Sequence, residues 1–212
     1  MLWTLVIPVK SLARAKSRLA DAAADALRPG LALAFAQDTV AAALASPAVR
    51  DVAVVTDDEL AGRELAALGA RIVSDEPGGG LNAALAHGAA AVRTWRPESP
   101  VAVLNADLPA LRPAELAQVL TAAAEFPRAF LADAAAIGTT LLAAAPGREL
   151  LPAFGTDSRA RHRGGGAVEL GLAGVDSVRQ DVDTADDLRT ALALGVGPRT
   201  TEAAARLLIS GQ

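Results

Sequence analysis

Leu2-Trp3-Thr4-Leu5-Val6-Ile7 runs directly into Pro8-Val9-Lys10-Ser11-Leu12-Ala13-Arg14-Ala15-Lys16-Ser17-Arg18-Leu19, and the reading of this junction decides the fold. The first six residues are apolar apart from Thr4, the pattern of a strand buried on both faces. The stretch that follows carries four cations, Lys10, Arg14, Lys16 and Arg18, and no acid. If it turns helical, Lys10, Arg14 and Arg18 stack at i, i+4 positions, where like charges repel by roughly 0.2–0.5 kcal/mol per pair. A chain of net charge −4 has acids to neutralise that face and places none there. An anion arriving from outside accounts for the pattern, because the strand-to-helix turn of an α/β protein is where phosphates are held. A solvated basic helix start is the competing reading.

Outward from this junction, strand and helix patterns alternate at spacings of about 20–30 residues, with continuous rather than alternating apolar strands. That is the mark of a mostly parallel sheet covered by helices on both faces. Asp51–Val55, Ala70–Ser74, Pro100–Asn105, Arg128–Asp133, Gly138–Ala144 and Val178–Asp183 are expected as further strands. Helices are expected over about 22–45, interrupted at Arg28-Pro29-Gly30, then from Asp58 to Leu68 with Gly69 as the stop. Others run from Asn82 to about Trp95, over 113–125 with Pro113 in the first turn, from Asp186, and over about 200–209. The chain has 212 residues, enough for one α/β domain with a full core and short for two, so a single domain over 1–212 is expected.

Hydrophobic residues make up 52%, mostly Ala, Leu and Val, and aromatics only 3%, which suits closely packed Ala-rich helices on a Val/Leu sheet. No apolar run of about 18 residues appears, so no membrane partner is expected. Nor does a cationic segment precede an apolar one at the N-terminus, so a cytoplasmic location is expected. The absence of cysteine excludes disulfides, thiolate metal sites and cysteine nucleophiles. A pI near 5.2 argues against general nucleic-acid binding. The oligomeric state is left open.

Ligands of open α/β sheets collect beyond the carboxyl ends of strands. Asp107 follows the apolar run Val101–Leu104, and Asp183 stands before Thr184-Ala185-Asp186-Asp187. Each carboxylate either caps the next helix or, with a substrate phosphate, holds Mg²⁺. Gly78-Gly79-Gly80-Leu81-Asn82 permits close backbone approach to a flat ligand, or is a plain helix-entry turn; it lacks GxGxxG spacing and a Walker A lysine. His87 falls mid-helix. His162, in Ser158-Arg159-Ala160-Arg161-His162-Arg163 near Gly155, belongs either to a second anion site with flanking cations or to a surface loop. Neither a Ser-His-Asp order nor an HExxH motif occurs.

IPVKSLARAKSRL, PGGGLNAAL, ADLPAL, GTTLL, FGTDSRARH and DVDTADDL, in this order from about residue 5 to 188, resemble the 2-phospho-L-lactate/phosphoenolpyruvate guanylyltransferases of coenzyme F-420 biosynthesis. The resemblance implies a GT-A-like nucleotidyltransferase fold, a mixed, mostly parallel sheet with helices on both faces. It implies that Lys10, Arg14, Lys16 and Arg18 grip the GTP triphosphate, with Lys16 and Arg18 also catalytic. Gly79, Gly80 and Asn82 would hold the guanine and ribose, and Asp107 and Asp183 the Mg²⁺. Thr139 or Thr140, Gly155 and Ser158 would hold the three-carbon phospho-acid, phosphoenolpyruvate before 2-phospho-L-lactate. Asn105 stands where some relatives carry an acid.

The implied reaction is in-line attack of the acceptor's phosphate oxygen on the α-phosphorus of GTP, with loss of pyrophosphate. An ionised phosphate needs no strong base, which agrees with the lack of a His or Cys dyad. Competing readings are another GT-A enzyme acting on a sugar or molybdopterin, and a GTP-binding regulatory domain without chemistry.

Overall fold

In the structure, a computed structural model that describes residues 1–12, 28–75 and 79–210, the opening apolar run forms β1 (Trp3–Pro8), fully buried up to Ile7. It is followed by α1 (Arg28–Leu44), β2 (Val49–Val55), α2 (Glu59–Ala67), β3 (Arg71–Val73), α3 (Leu81–Trp95), β4 (Val101–Leu104) and α4 (Pro113–Ala123). The chain continues through β5 (Arg128–Ala132), β6 (Thr139–Ala144), α5 (Ser158–Gly164), β7 (Val168–Glu169), α6 (Asp176–Arg179), α7 (Ala185–Leu194) and α8 (Pro198–Ser210). The strands form one sheet in the order β3-β2-β1-β4-β6-β5-β7. β6 is antiparallel to both neighbours, β4 and β5, and every other pairing is parallel. The expected mixed, mostly parallel sheet is therefore present.

Burial on both faces explains the continuous apolar strands. Leu5 and Ile7 of β1, with Val52, Val54, Ala102 and Leu104, pack beneath residues of α1, α2 and α4. Val6, on the opposite face with Ala53, Val55, Val101 and Val103, packs beneath Ala84, Leu85, Ala89 and Val92 of α3. α7 and α8 close the far side of α1, where Leu31 and Phe35 meet Val182, Leu188 and Ala191. Asp38 ties α8 down by accepting a hydrogen bond from the Thr200 N–H at 2.7 Å. No helix among the described residues is long and apolar enough to cross a membrane.

Two expectations are corrected. Arg28-Pro29-Gly30 is the first turn of α1 rather than a break, since a proline there removes an N–H that has no helical partner anyway. The helical reading of 22–27 lies outside the described residues. Val178–Asp183 is not a strand: α6 ends at Arg179 and a non-repetitive segment follows. The Glu115 carboxylate accepts from both the backbone N–H and the hydroxyl of Ser177, at 2.9 and 2.8 Å, and pins the start of this segment. Val178 and Val182 then bury into two different clusters, four residues apart. The last strand is the two-residue β7, too short to leave a pattern in the sequence.

α3 lies against β1 and β2 through Gly88. A Cβ at this residue would stand 2.5 Å from Val55 Cγ2 and 2.7 Å from Val6 Cγ1. Gly88→Ala gains up to about 1 kcal/mol of helix propensity and forces overpacking that costs about 1–3 kcal/mol. The substitution should therefore lower the urea midpoint, whereas a midpoint at or above wild type would show that α3 has room to lift.

Candidate functional site

β1 and β4 are neighbours in the sheet although the chain visits β2 and β3 between them. β1 therefore has β2 on one side and β4 on the other, the switch point at which open α/β sheets hold ligands. Beyond the carboxyl ends of these strands lie three cavities of about 660, 400 and 240 Å³. All three border Lys10 and Leu81. They are compartments of one cleft.

Lys10 reaches the cleft because β1 is held in register past its end. The Val9 N–H donates to the Val55 carbonyl at 2.9 Å. The Leu12 N–H donates to Asp58 Oδ2 at 2.9 Å, while Asp58 Oδ1 accepts from the Ala61 N–H as the cap of α2. The Ala61 and Leu12 amides hold the Asp58 carboxyl below its usual value. One carboxylate thus starts a helix and ties down the chain just after Lys10. Arg14, Lys16 and Arg18 lie outside the described residues.

Asp107 and Asp183 both line the 400 Å³ cavity, with Lys10 and Asn105. The Val182 N–H donates to the Asp107 carbonyl at 3.0 Å, which brings the two carboxylates into one place from 76 residues apart in the chain. Neither acid caps a helix. α4 starts well after Asp107, with Arg112 in the cap position, and Thr184 caps α7 in a reciprocal pairing with Asp187. Thr39 Oγ1 fixes the turn around Asp107, accepting from the Leu108 N–H at 3.1 Å. Among the described residues no group of three or more metal-ligating side chains is found. Two carboxylates beside an open cavity are an oxygen donor set that Mg²⁺ can use when phosphates complete its shell.

The 660 Å³ cavity is walled by Thr139, Phe154, Gly155 and Ser158, and it shares Lys10, Asn105 and Asp183 with its neighbour. Because β6 runs against β4, its first residue stands at the same sheet edge as β4's last. A bulge decides which threonine faces in: Leu131 pairs with Leu141 but Ala132 with Thr139, leaving Thr140 as the extra residue. Thr139 lines the cavity; Thr140 is fully buried, and its hydroxyl has no partner among the described residues. Bulges beside active sites commonly re-aim a side chain in this way. Gly155 takes φ = +111°, a conformation that favours glycine, and its carbonyl accepts from the Ser158 N–H at 3.1 Å.

Asn82 turns its amide to the protein, with one Nδ2 hydrogen left over. Its Nδ2 donates to the Phe154 carbonyl at 3.1 Å and its Oδ1 accepts from the Phe154 N–H at 2.7 Å, so it clamps the wall of the large cavity. Gly80 (φ = +88°) lines the 240 Å³ cavity and Gly79 is exposed beside it. The same cavity is bordered by Asp57 and Asp75. Asp57 Oδ1 accepts from the Asp75 N–H at 2.8 Å, and Asp75 Oδ1 is buried without a partner among the described residues.

His162 is neither on a surface loop nor part of a cationic anion site. Its ring is 2% exposed and packs edge-on to Phe154 at 4.9 Å, with Phe130 at 5.7 Å. Burial above all, then the nearby Arg161 and Arg128, push its pKa down to about 4. The flanking cations bond to protein acceptors: Arg159 and Arg163 to Glu169, Arg161 to the Phe154 and Thr156 carbonyls.

Residues 35–167 match the MobA-like NTP transferase domain. The chain is 84% identical to a phosphoenolpyruvate guanylyltransferase of Streptomyces avermitilis, covering 100% of this chain and 98% of that protein. It is 81% identical to the one of Streptomyces coelicolor, covering all of both. A third, from Thermomonospora curvata, is 62% identical over 97% of this chain and 90% of that protein. Among solved structures, a nucleotidyl transferase from Methanothermobacter superposes with a TM-score of 0.64 at 22% identity, covering 91% of this chain and 97% of that one. A CMP:2-keto-3-deoxy-manno-octonic acid synthetase gives 0.58 at 18% identity, covering 92% and 98%. These two share the fold.

In the folded protein His162 stays neutral down to about pH 4, whereas in the unfolded chain it takes a proton near pH 6.5. Between these values the unfolded state binds more protons. The contribution to stability is therefore complete above pH 6.5 and shrinks by up to about 3 kcal/mol as pH falls towards 4. In urea unfolding at pH 7 and pH 4.5, wild type should lose more stability than His162→Gln; parallel losses would refute the assignment.

Proposed function

We propose a function from one premise: the chain belongs to the phosphoenolpyruvate guanylyltransferase family, and its centre is a MobA-like NTP transferase domain. It is a nucleotidyltransferase that transfers GMP from GTP to the phosphate of phosphoenolpyruvate and releases pyrophosphate. The same membership supports a place in coenzyme F-420 biosynthesis and a cytoplasmic location, where both substrates are made.

The observation that carries the reading is the sharing of residues between compartments. Lys10, Asn105 and Asp183 border both the 400 Å³ cavity with Asp107 and the 660 Å³ cavity with Thr139, Gly155 and Ser158. Two ligands seated in these cavities meet at those three side chains. On this reading the triphosphate is held by Lys10 together with Arg14, Lys16 and Arg18. The phospho-acid lies against Thr139, Ser158 and the Gly155 loop. The guanine enters the 240 Å³ cavity, where Asp57 and Asp75 offer acceptors to a base that presents two N–H groups along one edge. Asp107 and Asp183 hold Mg²⁺, which neutralises charge on the phosphates. Asn105 stands at the meeting point as a neutral hydrogen-bonding group. Its side chain steadies phosphate oxygens without adding a negative charge. Attack by the acceptor oxygen on the α-phosphorus needs no protein base, and the neutral His162 supplies none.

Pyrophosphate release with GTP and Mg²⁺ is the test, run across phosphoenolpyruvate, 2-phospho-L-lactate and 3-phosphoglycerate. Release is expected with phosphoenolpyruvate and not with GTP alone; silence with all three acids would overturn the function. Asp107→Asn should cut the rate by about 10²-fold or more at an unchanged melting midpoint, by comparison with removal of a charge-stabilising group. Full activity with an unaltered Mg²⁺ requirement would remove Asp107 from the metal site.

A further inference from the structure

His162 is a buried titratable ring that the reaction described above does not use. The Ala153 N–H points at its Nε2, 3.0 Å away. A ring nitrogen that accepts a hydrogen bond carries no proton, so in the neutral ring the proton sits on Nδ1. Nδ1–H therefore donates to Thr139 Oγ1 at 2.9 Å. The opposite tautomer would set two N–H groups against each other at Ala153. A hydroxyl that accepts from His162 still has its own hydrogen to give, and Thr139 stands on the wall of the 660 Å³ cavity. The ring cannot swing away, since Phe130 and Phe154 enclose it and Asn82 holds Phe154 from 72 residues away.

We propose that His162 is a positioning residue for the acceptor substrate: by donating to Thr139 it fixes that hydroxyl as a donor into the cavity, where an anionic oxygen of the phospho-acid accepts it. The inference rests on the reading that the 660 Å³ cavity holds the phospho-acid. His162 touches no substrate itself. Its effect is on how well the acid is held, and it leaves the GTP side of the cleft alone.

Two substitutions divide the ring's bonds. In His162→Asn the side-chain amide nitrogen takes the place of Nδ1, which keeps the donor to Thr139 and loses the acceptor for Ala153. In His162→Gln the amide oxygen takes the place of Nε2, which keeps the acceptor and loses the donor. His162→Gln should raise KM for phosphoenolpyruvate about tenfold, the worth of one oriented hydrogen bond. Its KM for GTP should stay unchanged and its kcat within about threefold. His162→Asn should keep KM for phosphoenolpyruvate within about threefold of wild type. In a Thr139→Val background, His162→Gln should add no further rise. Equal effects of Asn and Gln, or a full Gln effect without the Thr139 hydroxyl, would reduce His162 to a core residue and overturn the proposal. Long-range ¹H–¹⁵N spectra of the wild-type protein check the tautomer without any variant: a proton on Nε2 overturns it as well. Wild-type turnover with an unmoved KM in His162→Gln sinks this inference alone. A wild type that uses no phospho-acid sinks the function and the inference together.

Discussion

On the proposed reading the cleft seats two phosphorylated molecules, which at about 4 Å repel by about 4 kcal/mol per charge pair at an effective dielectric of 20, and its layout answers that repulsion. The side chains that border the meeting point, one cation, one amide and two carboxylates fit to hold a metal, come from chain segments distant in sequence, so the sheet has to deliver them. β1 delivers Lys10, β4 delivers Asn105 and Asp107, and the hydrogen bond from Val182 to the Asp107 carbonyl delivers Asp183. Parallel pairing of β1 and β4 puts the first two deliveries at one edge. The α6–α7 connection makes the third, and it does so because it is not a strand. A strand over Val178–Asp183 would have carried Asp183 along a sheet ladder instead of folding it back over the end of β4.

The frame of the molecule was legible because it rests on local chemistry. Val52–Val55 and Val101–Leu104 are apolar runs too short for helices, and Asp58, Gly69 and Pro113 mark helix ends by cap and turn preferences that act within a few residues. The misread segments are those whose conformation is set from far away. Ser177 is held by Glu115 across 62 residues, and without that carboxylate the pattern Val178-Arg179-Gln180-Asp181-Val182 passes for a strand. β7 exists only because Val168 and Glu169 add to the edge of β5.

The candidate cleft was legible in its residue types and less so in where their polar groups are spent. Lys10, Asp107, Asp183, Gly155 and Ser158 all border the cleft. The choice between Thr139 and Thr140 depends on a bulge opposite Leu131 and Ala132, which no spacing rule records. Without the bulge Thr139 would share the face of Leu141, whose cluster lies under α1, α2 and α4. With it, Thr139 meets His162 on the face of Phe130 and Phe154. Asn82 and the arginines at 159, 161 and 163 carried groups that suit a ligand and spend them on the protein. A sequence lists hydrogen-bonding capacity; only the fold says how much is left over.

What is left over places the cleft's described cation, Lys10, on one wall only. The edge formed by β1 and β4 carries full charges, from Lys10, Asp107 and Asp183. The edge formed by β6 and the Phe154–Ser158 loop presents hydroxyls from Thr139 and Ser158, a glycine backbone and the Asp157 carboxylate, with Asp133 and Asp181 on the same cavity, and behind the hydroxyl of Thr139 an imidazole kept uncharged by burial; it presents no cation among the described residues. For the proposed reaction this division has a chemical reason. The triphosphate must have charge drawn off it as pyrophosphate leaves, which calls for cations and a metal. The attacking phosphate must be held without losing the electron density that makes it a nucleophile. Neutral donors satisfy the second demand: they orient an anion through oriented dipoles and leave its charge largely in place. A protonated histidine on that wall would draw charge from the attacking group, so packing His162 between two phenylalanines serves the acceptor's reactivity as well as its placement.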